Sequence, residues 1–294
     1  MEKEKNKAKK VSELQATYLL NFVEASAVAK PFLKWAGGKG QLLEALENLF
    51  PVEIHSKKIK KYAEPFIGGG ALFFHVAQNY PNIEEFYVSD VNPELILVYK
   101  TVQKDVESLI AQLETMELEY HELTAIEQKN YFYNKRKNFN NNLSKFDLKE
   151  FHADWVTRTA TLIFLNRTCF NGLFRVNSKG EFNVPFGDHN NPKICDTPNL
   201  RSVSALLQKT KIECGDFEAS KDFIDENTFV YFDPPYRPLS KTAYFNSYSK
   251  IKFGDDSQKR LAKYFLLLSN KGTKLMLSNS ETIRVNPDGL TMVG

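Results

Sequence analysis

A short apolar run, residues 229–232, ends in a carboxylate, two prolines and an aromatic ring: Asp233, Pro234, Pro235 and Tyr236. Proline has no backbone N–H and a fixed φ, so such a turn leaves carbonyl oxygens available as acceptors. The Asp233 carboxylate and the Pro234 carbonyl can accept both hydrogens of an exocyclic amine, while Tyr236 stacks on the base that carries it. The pattern therefore indicates a site that orients the amino group of a planar base. The same residues also suit an ordinary turn from strand to loop.

A glycine-rich turn occurs upstream, where residues 60–63 lead into Glu64, Phe66 and Gly68. The three consecutive glycines at residues 68–70 allow positive φ angles and a close approach of the backbone to a ligand. The spacing FxGGG differs from the dinucleotide fingerprint, and the acid before the turn favours a ligand with positive charge. An ordinary tight turn is the alternative.

A third acid, Asp90, follows the strand-like residues 85–89. An acid at the end of the second strand of a doubly wound sheet is positioned to bind ribose hydroxyls. Asp90 also suits the N-cap of a helix whose first turn contains Pro93 and Glu94. The two roles are compatible.

The three sites need a parallel sheet to bring them together, because the carboxyl ends of parallel strands meet at one edge. Strand, turn and helix patterns in this order predict an α/β fold. A helix is expected near residues 256–268 and a further strand near residues 274–280. The sequence between Asp90 and Asp233 is far longer than one crossover requires. Helix-like runs at residues 101–116 and 155–164 indicate an inserted, mainly helical region.

A loop or β-hairpin is predicted to follow these helices over residues 166–187, with Gly180 at the tip of the hairpin. Arg175 can make a bidentate contact with guanine, and Asn171 can bond a phosphate or an unpaired base edge. The side chains of Leu173 or Pro185 can meet a thymine methyl group. This pattern favours the reading of DNA in its major groove.

Phe170 lies near the start of this segment, where an aromatic ring could wedge into the base stack or simply pack in the core. Two basic clusters, residues 57–61 and 135–137, could contact phosphates or form a solvated surface.

Together with the amino-proximal motif at residues 31–39, these sites make the chain resemble the DNA adenine-N6 methyltransferases of the Dam type, the D12 class, alpha group, over about residues 31–280. The resemblance implies a Rossmann-like sheet that binds S-adenosyl-L-methionine, with an inserted target-recognition domain carrying the hairpin. It implies cofactor binding by Trp35, Lys39, Glu64, Phe66, Gly68, Asp90 and Asp233, with catalysis by Asp233, Pro234 and Tyr236. DNA contacts are expected from Phe170, Asn171, Leu173, Arg175 and Pro185.

The resemblance extends to the target sequence. Enzymes of the family that methylate adenine in GATC carry an Asn-Gly-Leu-x-Arg-x-Asn hairpin followed by Gly-Glu-Phe-Asn-Val-Pro-Phe, and residues 171–186 contain both parts. We therefore expect methylation of duplex DNA at GATC after base flipping. A cytosine-N4 methyltransferase is one alternative, but those enzymes more often have serine where this chain has Asp233. A catalytically impaired DNA-binding module is the other, because residues 283–294 do not follow the family's pattern.

The resemblance divides the chain into four parts. We expect a partly disordered extension at 1–30, the first part of the catalytic domain at 31–100, the target-recognition domain at 101–195 and the second catalytic part at 196–294. Family members usually continue beyond the equivalent of this last segment, so a short carboxyl end is expected to expose a sheet edge.

Composition limits the class of protein without identifying it. The 294 residues carry a net charge of +3, which is too weakly basic to indicate DNA binding by itself. The three cysteines form no CxxC pair, so no disulfide framework or zinc site is expected. With no secretory signal or membrane-spanning run in view, we expect a cytoplasmic enzyme, monomeric and without a metal. A restriction endonuclease that cuts the same site is a possible partner, without a stable complex.

Overall fold

The computed structural model describes residues 28–141, 147–235 and 253–278. Several predictions concern positions outside these ranges. They are the base-stacking role of Tyr236, the extension before residue 28, the loop expected to close over the site after Tyr236, and the carboxyl-terminal segment.

Five strands and nine α-helices are found in the described part of the chain. The strands are β1 (Lys61–Glu64), β2 (Glu85–Asp90), β3 (Thr210–Cys214), β4 (Thr228–Phe232) and β5 (Lys274–Leu277). The helices are α1 (Leu43–Glu47), α2 (Val52–His55), α3 (Ala71–Asn79), α4 (Pro93–Lys104), α5 (Val106–His121), α6 (Ala125–Asn141), α7 (Asp154–Thr168), α8 (Thr197–Leu207) and α9 (Asp255–Asn270). Short 3-10 helices occur at Gly40–Leu42, Phe170–Gly172 and Phe217–Asp222.

The strands form one all-parallel sheet in the order β3-β2-β1-β4-β5. The predicted α/β class with a Rossmann-like sheet is confirmed. Four of the strands coincide with the apolar runs read from the sequence, and β3 is an addition. β4 is buried at all five positions, as expected for a parallel strand covered on both faces.

The sheet separates two apolar layers because alternate side chains of each strand point to opposite faces. Tyr62 of β1 and Tyr231 of β4 face the larger core, which α3, α4 and α8 also fill. Ala63 and Val230, their neighbours in sequence, face a smaller core with Leu268 of α9. Both faces of the central strands are therefore covered, which holds their carboxyl ends in fixed relative positions.

The cap of α4 corrects one prediction. The Asn92 side chain accepts hydrogen bonds from the backbone N–H groups of Glu94 and Leu95, at 3.0 and 3.3 Å. The hypothesis that Asp90 caps this helix is therefore wrong. Asn92 satisfies two N–H donors that have no partner within the helix, so the carboxylate of Asp90 is left for other partners.

The inserted region is helical, as predicted, but its helices differ from the predicted runs. The run at 101–116 is divided between α4 and α5 at Asp105, whose side chain caps α5 by accepting from Ser108 N–H at 3.1 Å. The boundary expected at residue 101 falls inside α4. The helices of this region share the larger core with the sheet. A separate recognition domain with bounds 101–195 stays a prediction.

Within the part of the chain that the structure describes, no helix is both long and apolar enough to cross a membrane.

Candidate functional site

Three acids lie at the carboxyl ends of three neighbouring strands. Glu64 is the last residue of β1, Asp90 the last of β2, and Asp233 directly follows β4. β1 is paired with both other strands, and the chain changes direction across the sheet between β1 and β4. Open α/β sheets bind ligands at such a switch point. The structure thus brings the three predicted motifs to one edge.

Glu64 is almost completely buried at this edge. Its carboxylate accepts a hydrogen bond from the Tyr62 hydroxyl at 2.8 Å and another from the backbone N–H of Phe73 in α3. Burial raises the pKa of Glu64 well above its ordinary value, and the nearby Asp233 carboxylate raises it further. The two hydrogen bonds oppose that shift. Glu64 is therefore a poorly solvated carboxyl group beside a second acid, which is a suitable environment for a cation.

Asp90 joins the glycine turn to β2. One of its oxygens accepts from Gly68 N–H at 3.3 Å and the other from Asn92 N–H at 2.9 Å. Burial raises the pKa of Asp90, although both hydrogen bonds favour the charged form. The Tyr99 hydroxyl donates to the Gly68 carbonyl at 3.1 Å. The turn is thus held on both sides by side chains of β2 and α4.

Trp35 covers the glycine turn. A Cβ added at Gly68, whose φ is +47°, would lie 3.3 Å from Trp35 Cδ1, and one at Gly69 would lie 3.4 Å from Trp35 Cβ. On its other side the indole stacks on Phe174 at a centroid distance of 5.0 Å and an interplanar angle of 16°. Trp35 therefore packs between the turn and the hairpin.

Lys39 connects the amino-proximal motif to the residues after β4. Its Nζ lies 3.3 Å from the Asp233 carboxylate, and the two side chains are 12% and 18% exposed. Pro234 is half-buried beside them.

Phe66 contacts three rings of the smaller core, those of Phe217, Phe232 and Phe253, at centroid distances of 5.6, 6.5 and 5.7 Å.

The predicted hairpin is present but irregular. Two isolated antiparallel bridges, Cys169 with Phe186 and Val176 with Phe182, replace the regular strands that were expected. The tip is closed by the bond from Gly180 N–H to the Asn177 carbonyl, at 2.9 Å. Gly180 has a φ of +85°, which explains glycine there.

All five predicted DNA-contact residues lie on or beside this hairpin. Three of them are exposed: Phe170, Asn171 and Pro185, with 53% of the Phe170 surface accessible. The Phe170 N–H donates to the Pro185 carbonyl at 2.9 Å. Leu173 and Arg175 are half-buried. The hairpin therefore presents an aromatic ring, an amide and a proline to solvent along one segment.

Arg175 has a partner that the sequence did not reveal. Its Nε donates to the Asn183 side-chain oxygen at 2.9 Å, while Asn183 N–H donates to the Arg175 carbonyl at 3.1 Å. Asn183 thus holds the guanidinium group in one orientation. Asparagine is common in turns, so its type alone gave no signal of this role.

The polar helix α6 supports the hairpin from behind. The Asn140 side chain accepts from Phe182 N–H at 2.8 Å and donates to the Phe182 carbonyl at 3.0 Å. Arg136 donates to the Val184 carbonyl at 3.0 Å. One guanidinium nitrogen of Arg136 is therefore bonded to the protein backbone, and contact of the basic cluster 135–137 with phosphates stays a prediction.

Residues 35–287 match the family model for the D12 class N6 adenine-specific DNA methyltransferases. The chain is 50% identical over 254 residues to the type II methyltransferase M.MjaIII of Methanocaldococcus jannaschii, covering 86% of this chain and 85% of that protein. It is 40% identical to the type II methyltransferase M1.LlaDCHI of Lactococcus lactis, covering 86% and 82%. It is 30% identical to the DNA adenine methylase of Escherichia coli, again covering 86% and 82%.

The family match includes Trp35 and Lys39, the glycine turn and the residues after β4, and the matching family acts on adenine. The cytosine-N4 alternative is therefore not favoured. The chain belongs to the D12 class of N6 adenine-specific DNA methyltransferases.

Proposed function

We propose that this chain methylates N6 of adenine within GATC in duplex DNA, after the adenine has left the base stack. The observation that carries the proposal is the adjacency of two motifs. Trp35 lies against the glycine turn, and Lys39, four residues later, lies 3.3 Å from Asp233. A methyl donor at the turn and an amine at Asp233 would share one site.

Enzymes of this class depend on S-adenosyl-L-methionine, and the donor set of the site fits that cofactor. We propose that Glu64 and Asp90 hold it, because carboxylates suit both a sulfonium ion and ribose hydroxyls. Gly68 and the Trp35 ring would form the walls of its site, with Lys39, Phe66 and Asp233 beside them. When bound, the cofactor supplies an activated methyl group, so no strong base is needed.

The role proposed for Asp233 and Pro234 is to orient the amine. Two oxygen acceptors that hold both N–H bonds turn the nitrogen lone pair out of conjugation with the ring. An aspartate is far too weak a base to deprotonate an aromatic amine beforehand. Asp233 therefore orients the nitrogen first and accepts its proton after transfer, while Tyr236 stacks on the base.

The experiment uses the purified chain with tritiated S-adenosyl-L-methionine and duplexes that contain GATC or a scrambled site, followed by digestion to nucleosides. Label in N6-methyladenine from the GATC duplex alone is expected. Label in N4-methylcytosine would support the cytosine alternative. DNA binding without any label would support the catalytically impaired module.

Asp233→Ala should abolish transfer and leave the affinity for the duplex within about twofold, because the orientation of the amine is lost and the hairpin is untouched. A matched control is Asp225→Ala, which removes an acid near the opposite end of β4, paired with Lys61 at 2.9 Å. The Asp225→Ala variant should still transfer the labelled methyl group to the GATC duplex. Transfer that persists in Asp233→Ala would refute the amine-orienting role.

The GATC assignment rests on the hairpin, and Arg175→Ala tests it. Loss of a bidentate contact should reduce discrimination at one guanine by about 1–3 kcal/mol. Asn183→Ala should act in the same direction but less, since it only frees the guanidinium group. Competition between GATC and single-substituted duplexes measures both. Unchanged preference in Arg175→Ala would assign that base pair to another residue.

We further propose that the chain works as a monomer. We also propose that it has a modification role beside a restriction endonuclease, since two of its relatives are named type II methyltransferases. Light scattering of the purified protein and inspection of the neighbouring genes test the two statements separately.

A further inference from the structure

The segment that leads to Trp35 is held in place by side-chain amides. Residues 28–35 contain no helix or strand. Three of these residues nevertheless have both the backbone N–H and the backbone C=O group hydrogen-bonded. In each case one amide accepts from the N–H and donates to the C=O of the same residue, as a neighbouring strand would. The pairs are Ala29 with Gln78 (2.7 and 2.8 Å), Lys30 with Asn199 (2.9 and 3.1 Å) and Lys34 with Asn166 (2.9 and 2.9 Å).

Asn166 differs from the other two amides because its additional bond goes to the hairpin, whereas that of Gln78 goes to the Phe74 carbonyl of its own helix. Its Nδ2 also donates to the Gly172 carbonyl at 2.9 Å, and the residue is only 1% exposed within α7. A Cβ at Gly172 would lie 2.1 Å from Cδ of Lys34. The amino-proximal motif and the start of the hairpin are thus joined through one buried amide.

The stack between Trp35 and Phe174 lies immediately beside this junction. Lys34 and Trp35 are consecutive, and Phe174 is two residues from Gly172. A shift of the Lys34 backbone would therefore move the indole that covers the glycine turn. A shift of Gly172 would move the segment that carries Leu173 and Arg175. In a close-packed interior such displacements are not absorbed locally.

We propose that Asn166 is a positioning residue that couples methyl-donor binding to DNA binding. The inference rests on the proposed roles of Trp35 at the donor site and of the hairpin on DNA. Asn166 touches neither ligand. It fixes the relative position of the two segments, so that ordering one by its ligand orders the other, and each ligand strengthens the binding of the other by the same factor.

The experiment measures the affinity of a fluorescent GATC duplex with and without saturating sinefungin, a donor analogue that transfers no methyl group. The wild-type chain should bind the duplex about tenfold more tightly with sinefungin, within the ~5- to 150-fold range typical of coupled sites. In Asn166→Ala this factor should fall below about twofold. The reciprocal titration, of sinefungin with and without duplex, must give the same factor.

Asn199→Ala is the matched control. Asn199, which is 2% exposed, makes the same pair of backbone bonds to Lys30, four positions before Lys34. Within the described residues it has no bond to the hairpin, so Asn199→Ala removes only the pair with Lys30. Its coupling factor should stay within about twofold of the wild-type value. Any of three outcomes would overturn the inference: an unchanged coupling factor in Asn166→Ala, an equal loss of coupling in Asn199→Ala, or no coupling in the wild-type chain. Failure of the proposed function would instead appear as absent methyl transfer in the tritium assay.

If Asn166→Ala gives no cooperative melt, Gly172→Ala tests the same junction from the hairpin side. Its methyl group would push against Lys34 and leave Asn166 in place. Gly272→Ala is its control, because Gly272 also has a positive φ, +84°, but its Cβ would meet only Glu226 Cβ, at 3.7 Å. Loss of coupling in Gly172→Ala alone supports the inference, and retention of coupling there refutes it.

Discussion

At the scale of single residues, the site concentrates carboxyl groups that destabilise one another. Glu64 is 3% exposed, and both burial and the Asp233 carboxylate disfavour its charged form. Such an arrangement lowers stability at neutral pH and is common at functional sites. Tyr62 and the backbone of Phe73 compensate Glu64 in part by donating to its carboxyl group. A cationic ligand would compensate it further.

Glu64→Gln should therefore change how stability depends on pH. The pKa of Glu64 is raised in the folded state, so unfolding releases a proton above the ordinary value of 4.5, and stability is lost as pH rises from there. The glutamine variant lacks this loss. Its free energy of unfolding relative to wild type should increase as pH rises from about 4.5, which urea titrations at several pH values measure.

Glu107→Gln serves as the control for this prediction. Arg201 lowers the pKa of Glu107 by a side-chain hydrogen bond. The stabilising effect of that carboxylate is fully present above its ordinary pKa of 4.5 and is lost as pH falls below it. The stability of the control relative to wild type should therefore be constant as pH rises from about 4.5, with a slope of opposite sign only below that value. Parallel pH profiles for wild type and Glu64→Gln would contradict the prediction.

At the scale of elements, the glycine turn and α3 form one unit. Gly70 is the N-cap of α3 with a φ of +71° and ψ of 22°, a left-handed conformation that residues with a Cβ rarely adopt. A Cβ there would lie 2.6 Å from the Tyr99 hydroxyl and 3.1 Å from Phe74 Cε2. The requirement for glycine is therefore both conformational and steric.

Gly70→Ala should destabilise the protein by about 2 kcal/mol, since backbone strain and the contact with Tyr99 add together. Gly254→Ala is the control, because Gly254 is the N-cap of α9 with a negative φ and a Cβ there meets nothing within 4 Å. Urea unfolding monitored by circular dichroism measures both variants. A loss in Gly70→Ala no greater than in the control would show that the turn can relax.

At the scale of the whole molecule, an ion pair between a buried arginine and a half-buried glutamate joins helices of the inserted region to α4. Arg158 of α7 bonds the Glu94 carboxylate with two nitrogens, at 2.9 and 2.6 Å, and donates to the Phe139 carbonyl at 3.0 Å. Its guanidinium carbon lies 4.0 Å from the centroid of the Phe139 ring. One side chain thus connects α4, α6 and α7.

Arg158→Leu should cost about 1.5–3 kcal/mol, because it leaves a half-buried carboxylate without its charged hydrogen-bond partner. Arg201→Leu removes a similar pair with Glu107, but there the side chains are 32% and 63% exposed, so the expected cost is below about 1 kcal/mol. Chemical denaturation compares the two variants. Similar losses would mean that the Arg158 pair is not limiting for the packing of the three helices.

The sequence by itself determined the class of fold and the order of the motifs. Buried parallel strands are continuous apolar runs, and acids or glycines that follow them are visible without coordinates. Hence the strand ends at Glu64, Asp90 and Asp233 were predictable, and so was a hairpin with Gly180 at its tip. Each of these features depends on residues that are close together in the sequence, so a local sequence pattern is enough to predict it.

Only the tertiary structure decided which groups meet. Lys39 pairs with Asp233, Asn166 bonds Lys34 and Gly172, and Asn183 holds Arg175. Asn92, not Asp90, caps α4. An amide or a carboxylate bonds any suitable donor within about 3 Å, so its type does not specify which partner it takes, whether that partner is 8 or 132 residues away. Partner choice follows from how the sheet and helices pack, and packing is a property of the whole chain.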